Sequence, residues 1–213
     1  CFRRHFPYED NQPSRAMWTK TLDYLQQHTE INEVIYSGGD PLASSNGQLS
    51  WLSQKVAAIK HIKTLRIHTR LPVVLPQRID TELLEILQQW PGKKVVVIHS
   101  NHVNELDASV KIAVDKLKAI GVTVLNQTVL LKGINDSATA LVQLSERLFD
   151  IGVLPYYLHL LDTVSGAAHF AISDNDAKAI MGEVTSRLPG YLVPRLVREE
   201  ADKTSKTPIL PTF

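Results

Sequence analysis

Lys94-Val95-Val96-Val97-Ile98-His99 decides the fold, because this stretch predicts a strand that is buried on both faces. A strand with one wet face alternates apolar and polar residues, whereas a strand inside a parallel sheet carries a continuous run of Val and Ile. Short apolar runs of this kind recur along the chain and alternate with amphipathic stretches of helical spacing. Strands that alternate with helices predict parallel pairing through right-handed crossovers.

Outward from this strand, the pattern predicts a helix, five strand–helix units and a terminal strand. The predicted strands are Glu33–Tyr36, Leu65–Thr69, Lys94–His99, Val122–Thr128, Val153–Leu160 and Tyr191–Val197. The first helix is expected after Ser14, and the others are Gln48–Lys60, Thr81–Gln89, Ala108–Ile120, Ala138–Phe149 and Ser173–Leu188. Two α/β architectures satisfy this order, an open doubly wound sheet and a partial barrel, and both place function at the C-terminal ends of the strands.

Length and composition favour a single compact domain and argue against nucleic-acid and membrane partners. The 213 residues fit one compact domain over 1–213, and a hydrophobic share of 44% is enough for a substantial core. A net charge of +1 does not favour a nucleic-acid partner. The single cysteine excludes an internal disulfide and fits a reducing cytoplasm. No apolar run approaches the roughly 20 residues of a membrane span, so no membrane partner is expected.

Polar residues follow one predicted strand after another, and this repetition points to a site. They are Ser37–Asp40, Thr69-Arg70, His99–His102, Asn126-Gln127 and Asp162. In the first group, Gly38 and Gly39 would let a ligand approach the backbone, while Asp40 could accept a hydrogen bond from an ammonium. Gly, Asp and Pro are also ordinary turn residues, so a plain turn is the alternative for this segment.

Three further candidates have an ordinary explanation beside the functional one. His99 and His102 are spaced like metal ligands, but no third ligand accompanies them, which favours a pocket or loop role. Lys206 is either a solvated charge or a lysine that forms a Schiff base with an aldehyde cofactor. Asp162 and Glu199 suit recognition of an ammonium group, or they solvate the ends of two strands.

The first residues, Cys1-Phe2-Arg3-Arg4, do not begin with Met, and we expect the chain to be a fragment cut within a motif. The lone Cys1 could then be the last ligand of a metal or cluster site. Arg3 and Arg4 are either a surface pair or guanidinium groups suited to a carboxylate.

Taken together, the sequence resembles the lysine 2,3-aminomutase family of radical S-adenosylmethionine (SAM) enzymes. The stretches that carry the resemblance are Cys1–Arg4, Ser37–Asp40, Thr69–Ile79, Asn126–Asp136 and Lys206–Pro208. They span nearly the whole chain in order, and the two long central stretches are far more specific than a Gly-Gly-Asp turn.

The resemblance implies a partial (β/α)6 barrel of the radical SAM type that lacks its first strand here. It implies that Cys1 is the third thiolate of a CxxxCxxC loop holding a 4Fe–4S cluster, and that Arg3 binds the substrate carboxylate. The SAM-binding residues it implies are Ser37, Gly38, Gly39, Asp40, Arg70, His99 and Gln127. It also implies that Asp162 and Glu199 bind the ε-ammonium of lysine. Lys206, in the C-terminal segment 191–213, would carry pyridoxal 5′-phosphate (PLP).

The implied activity is the radical isomerisation of L-α-lysine to β-lysine. The short ending resembles the bacterial branch that makes (R)-β-lysine for modifying elongation factor P. Two departures affect the ε-ammonium site: Glu199 stands where the family usually has Asp, and 200–205 replaces a glycine-rich stretch. The alternatives are a glutamate 2,3-aminomutase, which Asp162 disfavours, a PLP-only barrel enzyme, and an inactive barrel piece that only binds SAM or PLP.

Overall fold

The computed structural model describes residues 15–201 and 203–212, which form one mixed sheet of seven strands with helices between them. The strands are β1 Glu33–Tyr36, β2 Thr64–Thr69, β3 Lys93–His99, β4 Val122–Val129, β5 Leu154–His159, β6 Arg195–Arg198 and β7 Thr207–Pro208. The helices are α1 Arg15–Gln27, α2 Asn46–Ala57, α3 Leu71–Val74, α4 Thr81–Gln88, α5 Ala108–Ala119, α6 Ala138–Asp150 and α7 Asp174–Arg187. Short 3-10 turns cover Pro41–Ala43, Pro76–Arg78, Val103–Glu105, Ala168–Phe170 and Gly190–Leu192. Within these ranges, no helix is long and apolar enough to cross a membrane.

The order of the strands distinguishes the two predicted architectures. Strands β1 to β6 are neighbours in chain order and every pair among them is parallel. A doubly wound sheet reverses its direction of winding at a switch point, and this sheet has no such reversal among the described strands. Repeated right-handed crossovers in one direction place all helices on one face and curve the sheet around the other. The predicted partial barrel is therefore confirmed.

The two faces of the sheet differ because side chains alternate along each strand. The face toward the helices is apolar and buried, with Leu65, Ile67, Val96, Ile98, Val122 and Val124 in one core cluster. Leu158 and Leu196 extend this layer into a second cluster under α6 and α7. The opposite, concave face carries half-buried polar and aromatic side chains, and we call it the lumen. Its polar members include Arg66, His68, His99, Gln127, Tyr157 and His159.

The C-terminal part of the chain departs from the sequence-based prediction. The segment expected to be one strand, Tyr191–Val197, begins as a 3-10 turn and becomes a strand only at Arg195. Pro194 has no N–H to donate to the sheet, so the strand starts after it. The chain then returns as β7, antiparallel to β6, with Arg198 opposite Thr207. The predicted cap Ser14 lies outside the described residues.

A buried polar network connects the ends of β3 and β4. The Asn126 amide accepts a hydrogen bond from the Ser100 N–H at 2.8 Å and donates to the Ser100 carbonyl at 3.1 Å. It also donates to the Thr128 hydroxyl at 2.8 Å. Asn126 and Ser100 are almost completely buried. Asn126 therefore belongs to the scaffold under the site, while the next residue, Gln127, faces the lumen.

We expect Asn126→Ala to lower the free energy of unfolding by about 2–3 kcal/mol, because a buried N–H of Ser100 loses its partner. Chemical denaturation at pH 7 measures this change. Thr123→Ala is the matched control, since Thr123 is exposed on the same strand. Equal stability of the two variants would contradict the role given to Asn126.

Candidate active site

The loop after β1 contains two glycines in a backbone conformation that other residues rarely adopt. Gly38 has φ 90° and Gly39 has φ 55°, both in the left-handed region. Ser37, Gly38 and Gly39 are all exposed at the carboxyl end of the strand. Their backbone is thus accessible to a ligand at the mouth of the lumen.

Asp40 connects this loop to the end of the neighbouring strand β2. Its Oδ1 accepts hydrogen bonds from the Leu42 N–H at 3.0 Å and from the Thr69 hydroxyl at 2.7 Å. Its Oδ2 accepts from the Arg70 N–H at 2.7 Å. The carboxylate therefore already has three donors and fixes the two strand ends together. Sequence reasoning predicted an acceptor at this position but not these internal donors.

The loops after β2 and β3 are connected by a second acid, Glu105. Its Oε2 accepts from the Arg70 guanidinium at 3.1 Å, and its Oε1 accepts from the backbone N–H groups of Asn101 at 2.6 Å and His102 at 2.9 Å. The His102 ring accepts from the Asn104 N–H at 3.2 Å. The His102 ring therefore stabilises its own loop. In the described ranges no three His, Cys, Asp or Glu side chains are grouped to hold a metal ion.

His99 and Gln127 face each other across β3 and β4 inside the lumen. The Gln127 amide donates to Nε2 of His99 at 2.6 Å. Burial lowers the pKa of His99, with the Arg70 charge adding to that effect and the Asp40 charge opposing it. Of the three residues that the resemblance placed in one pocket, His99 and Gln127 are therefore in direct contact, while the Arg70 side chain is paired with Glu105.

Two further histidines in the lumen, His68 on β2 and His159 on β5, were missed by sequence reasoning. Burial lowers the pKa of both to about 4, so both imidazoles are neutral at pH 7. The Nε2 atom of each is buried without a hydrogen-bond partner among the described residues. The period-two alternation of His159 with the buried Leu158 could have indicated that it faces away from the core.

The lowered pKa values of His68 and His159 predict that the protein loses stability in mild acid. In the unfolded chain they bind protons near pH 6.5, but in the folded protein only near pH 4, so the unfolded state binds more protons between these values. Stability is thus fully present above pH 6.5 and falls as the pH drops toward 4. Urea denaturation at pH 7 and pH 5 measures the fall. The His68→Asn/His159→Asn double variant should show a smaller fall, and an unchanged pH dependence would refute the assignment.

Lys206 lies at the rim of the lumen, just before β7. Its Nζ contacts Glu199 Oε2 at 2.7 Å and lies 5.8 Å from the centre of the Tyr157 ring. The pairing of β7 with β6 holds this segment, as does the Ile209 N–H, which donates to the Leu196 carbonyl at 2.9 Å. The predicted loop lysine is thus placed over the lumen by an antiparallel strand.

Asp162, which follows β5, is exposed at the same rim. Partial burial of its carboxyl raises its pKa, the negative charge of Glu199 raises it further, and the positive charge of Lys206 opposes both. The two acids and the lysine therefore act on one another electrostatically. Cys1 and Arg3, the remaining predicted site residues, lie outside the described residues.

Comparison with known proteins identifies the relationship. No protein-family model matches the chain. It is 50% identical over 209 residues to the L-lysine 2,3-aminomutase of Escherichia coli (strain K12), covering 98% of this chain and 61% of that protein. The L-lysine 2,3-aminomutase of Haemophilus influenzae is 52% identical, with 97% of this chain and 61% of that protein covered. The chain is homologous to these L-lysine 2,3-aminomutases over nearly its whole length. It spans about three fifths of the length of these two relatives.

One further relative and two solved structures extend the comparison. The glutamate 2,3-aminomutase of Clostridioides difficile is 32% identical, with 99% of this chain and 50% of that protein covered. A radical SAM methyltransferase from Sphaerobacter thermophilus superposes with a TM-score of 0.55 at 14% identity, covering 87% of this chain and 57% of that chain. Native anSMEcpe with bound AdoMet gives a TM-score of 0.57 at 12% identity, covering 78% and 50%. These likenesses show that the chain shares the partial α/β barrel fold of those two structures.

Proposed function

We propose that the protein carrying this chain isomerises L-lysine to β-lysine as a radical SAM, PLP-dependent aminomutase. The observation that carries the proposal is the grouping of Lys206, Glu199 and Asp162 at the rim of a polar lumen. The names of the most similar relatives support the same reaction. The rim thus combines a cofactor lysine with acids that match the ammonium end of lysine.

Charge at the rim favours lysine over glutamate as the substrate. Two carboxylates attract the ε-ammonium of lysine and repel the second carboxylate of glutamate. The chain is also less similar to the glutamate enzyme of Clostridioides difficile, at 32% identity, than to the lysine enzyme of Escherichia coli, at 50%. We assign Asp162 and Glu199 to the ε-ammonium and, outside the described residues, Arg3 to the carboxylate.

The residues present fit PLP at Lys206. Its amine reaches the mouth of the lumen above the Tyr157 ring, and the unpartnered Nε2 atoms of His68 and His159 lie in the same lumen, where a polar ligand would satisfy them. When bound there, PLP would supply an aldehyde that holds the migrating amino nitrogen covalently. The protein holds the reacting groups in position and excludes bulk water from them.

The pocket for SAM is proposed at the ends of the strands β1 to β4. Ser37, Gly38 and Gly39 present exposed backbone to the amino-acid part of SAM, and Asp40 fixes that loop. The further SAM contacts we propose are Arg70, His99 and Gln127. Cys1, outside the described residues, would be one ligand of a 4Fe–4S cluster, and the cluster with SAM would supply the radical that an unactivated C–H bond requires.

We propose that (R)-β-lysine made in the cytoplasm supplies the modification of elongation factor P, and that residues 1–213 act as one barrel domain with 191–213 as its PLP-lysine segment. The test is anaerobic incubation of the iron-reconstituted protein with SAM, PLP, dithionite and L-lysine, followed by chiral chromatography. β-Lysine is the expected product. Formation of β-glutamate from L-glutamate instead would support the alternative substrate and overturn the proposal.

A further inference from the structure

Lys206 and the ligand assigned to this rim end in the same chemical group. The terminal ammonium of a lysine side chain is identical in free L-lysine and in a protein. The Lys206 ammonium lies 2.7 Å from Glu199, one of the two acids assigned to the ligand. Its side chain is only 28% exposed, so it is seated at the rim and not extended into solvent.

The second acid, Asp162, is within the influence of the same ammonium. Partial burial raises the pKa of Asp162, and the negative charge of Glu199 raises it further. The positive charge of Lys206 lowers it. Lys206 therefore partly neutralises both carboxylates. A ligand ammonium that approaches them meets an acid whose partner is already present and a positive charge that repels it.

We propose that Lys206 occupies the ammonium site of Asp162 and Glu199 until an aldehyde cofactor withdraws it. This inference rests on the proposed function, because it uses the assignment of that site to the substrate. The consequence is an order of loading: the Lys206 ammonium would first lose a proton to solvent, and its nitrogen would form a C=N bond with the aldehyde carbon as water leaves. The ε-ammonium of lysine would then take its place beside Glu199. Cofactor loading thereby raises the affinity for lysine, and lysine binding favours cofactor loading by the same factor.

Calorimetric titration of L-lysine into the cofactor-free protein tests this occupancy. Lys206→Met keeps the length of the side chain but removes its ammonium, and we expect it to bind lysine about tenfold more tightly than the unaltered protein, within the usual range of such couplings. Lys206→Arg retains the charge and the contact to Glu199, so its affinity should stay low. Lys203→Met removes a neighbouring charge from the same hairpin and serves as the matched control.

The outcomes separate the occupancy from the function on which it rests. Equal lysine affinity in the unaltered protein and Lys206→Met would overturn the occupancy while leaving the substrate site in place. An equal gain in Lys203→Met would also overturn it, because general charge removal would then explain the effect. A lack of lysine binding in every variant would reject the ammonium site and with it the occupancy, whereas the proposed function fails only if the loaded enzyme forms no β-lysine. Circular dichroism of each variant verifies that the barrel is folded.

Discussion

We expect Lys206→Ala to abolish the absorbance of the proposed PLP–lysine adduct and to lower the proposed β-lysine formation by at least about 10³-fold, since alanine has no amine to form the covalent link. The expected result depends on the placement of Lys206 over the lumen, 5.8 Å from the Tyr157 ring. Absorbance spectra after addition of PLP measure the adduct. Borohydride reduction followed by mass spectrometry locates the modified residue.

The matched control for this prediction is Lys203→Ala, three residues earlier on the same hairpin. It should retain both the adduct and the reaction, because Lys203 is exposed. Retained absorbance in Lys206→Ala, with borohydride attaching PLP to another lysine, would remove the assignment. Loss of absorbance in both variants would instead indicate that the hairpin between β6 and β7 has been disrupted.

The parallel strands were predictable because most of them contain a short apolar run, and such a run is typical of a buried strand. Glu33–Tyr36 was predicted at its observed bounds, and the starts of the helices at Thr81, Ala108 and Ala138 agree with the structure. The choice between a doubly wound sheet and a barrel was not predictable from periodicity, since both have the same alternation of strands and helices. The pairing order of the strands decides it.

The predicted site residues follow a strand or come from the family resemblance, which also picked out His99 in β3 and Gln127 in β4. Ser37–Asp40 and Lys206 follow or precede strands and were recognised, although β7 was not, because two polar residues carry no strand pattern. His68 and His159 lie inside strands and were missed. Their role depends on which face of the sheet they occupy, and that becomes certain only when the neighbouring strands are paired.

Asp40→Ala is expected to lower the free energy of unfolding by about 2–4 kcal/mol and to reduce SAM affinity more than tenfold, because hydrogen bonds to a charged group each contribute about 1.5–3 kcal/mol and are not additive. Leu42, Thr69 and Arg70 all lose their acceptor. The loop of Gly38 and Gly39 then loses its attachment to β2. Denaturation at pH 7 and equilibrium binding of SAM measure the two effects.

Asp107 caps the start of α5 and provides a control, because its loss destabilises a helix without touching the loop of Gly38 and Gly39. Its Oδ1 accepts hydrogen bonds from the N–H groups of Ser109 at 2.8 Å and Val110 at 3.0 Å, and from the Ser109 hydroxyl at 2.6 Å. Asp107→Ala thus also removes an aspartate with three donors, but at the start of α5, so stability should fall while SAM affinity stays unchanged. If both variants lost SAM affinity equally, general destabilisation would account for the effect. A selective loss in Asp40→Ala would show that this carboxylate shapes the SAM loop through the backbone it holds.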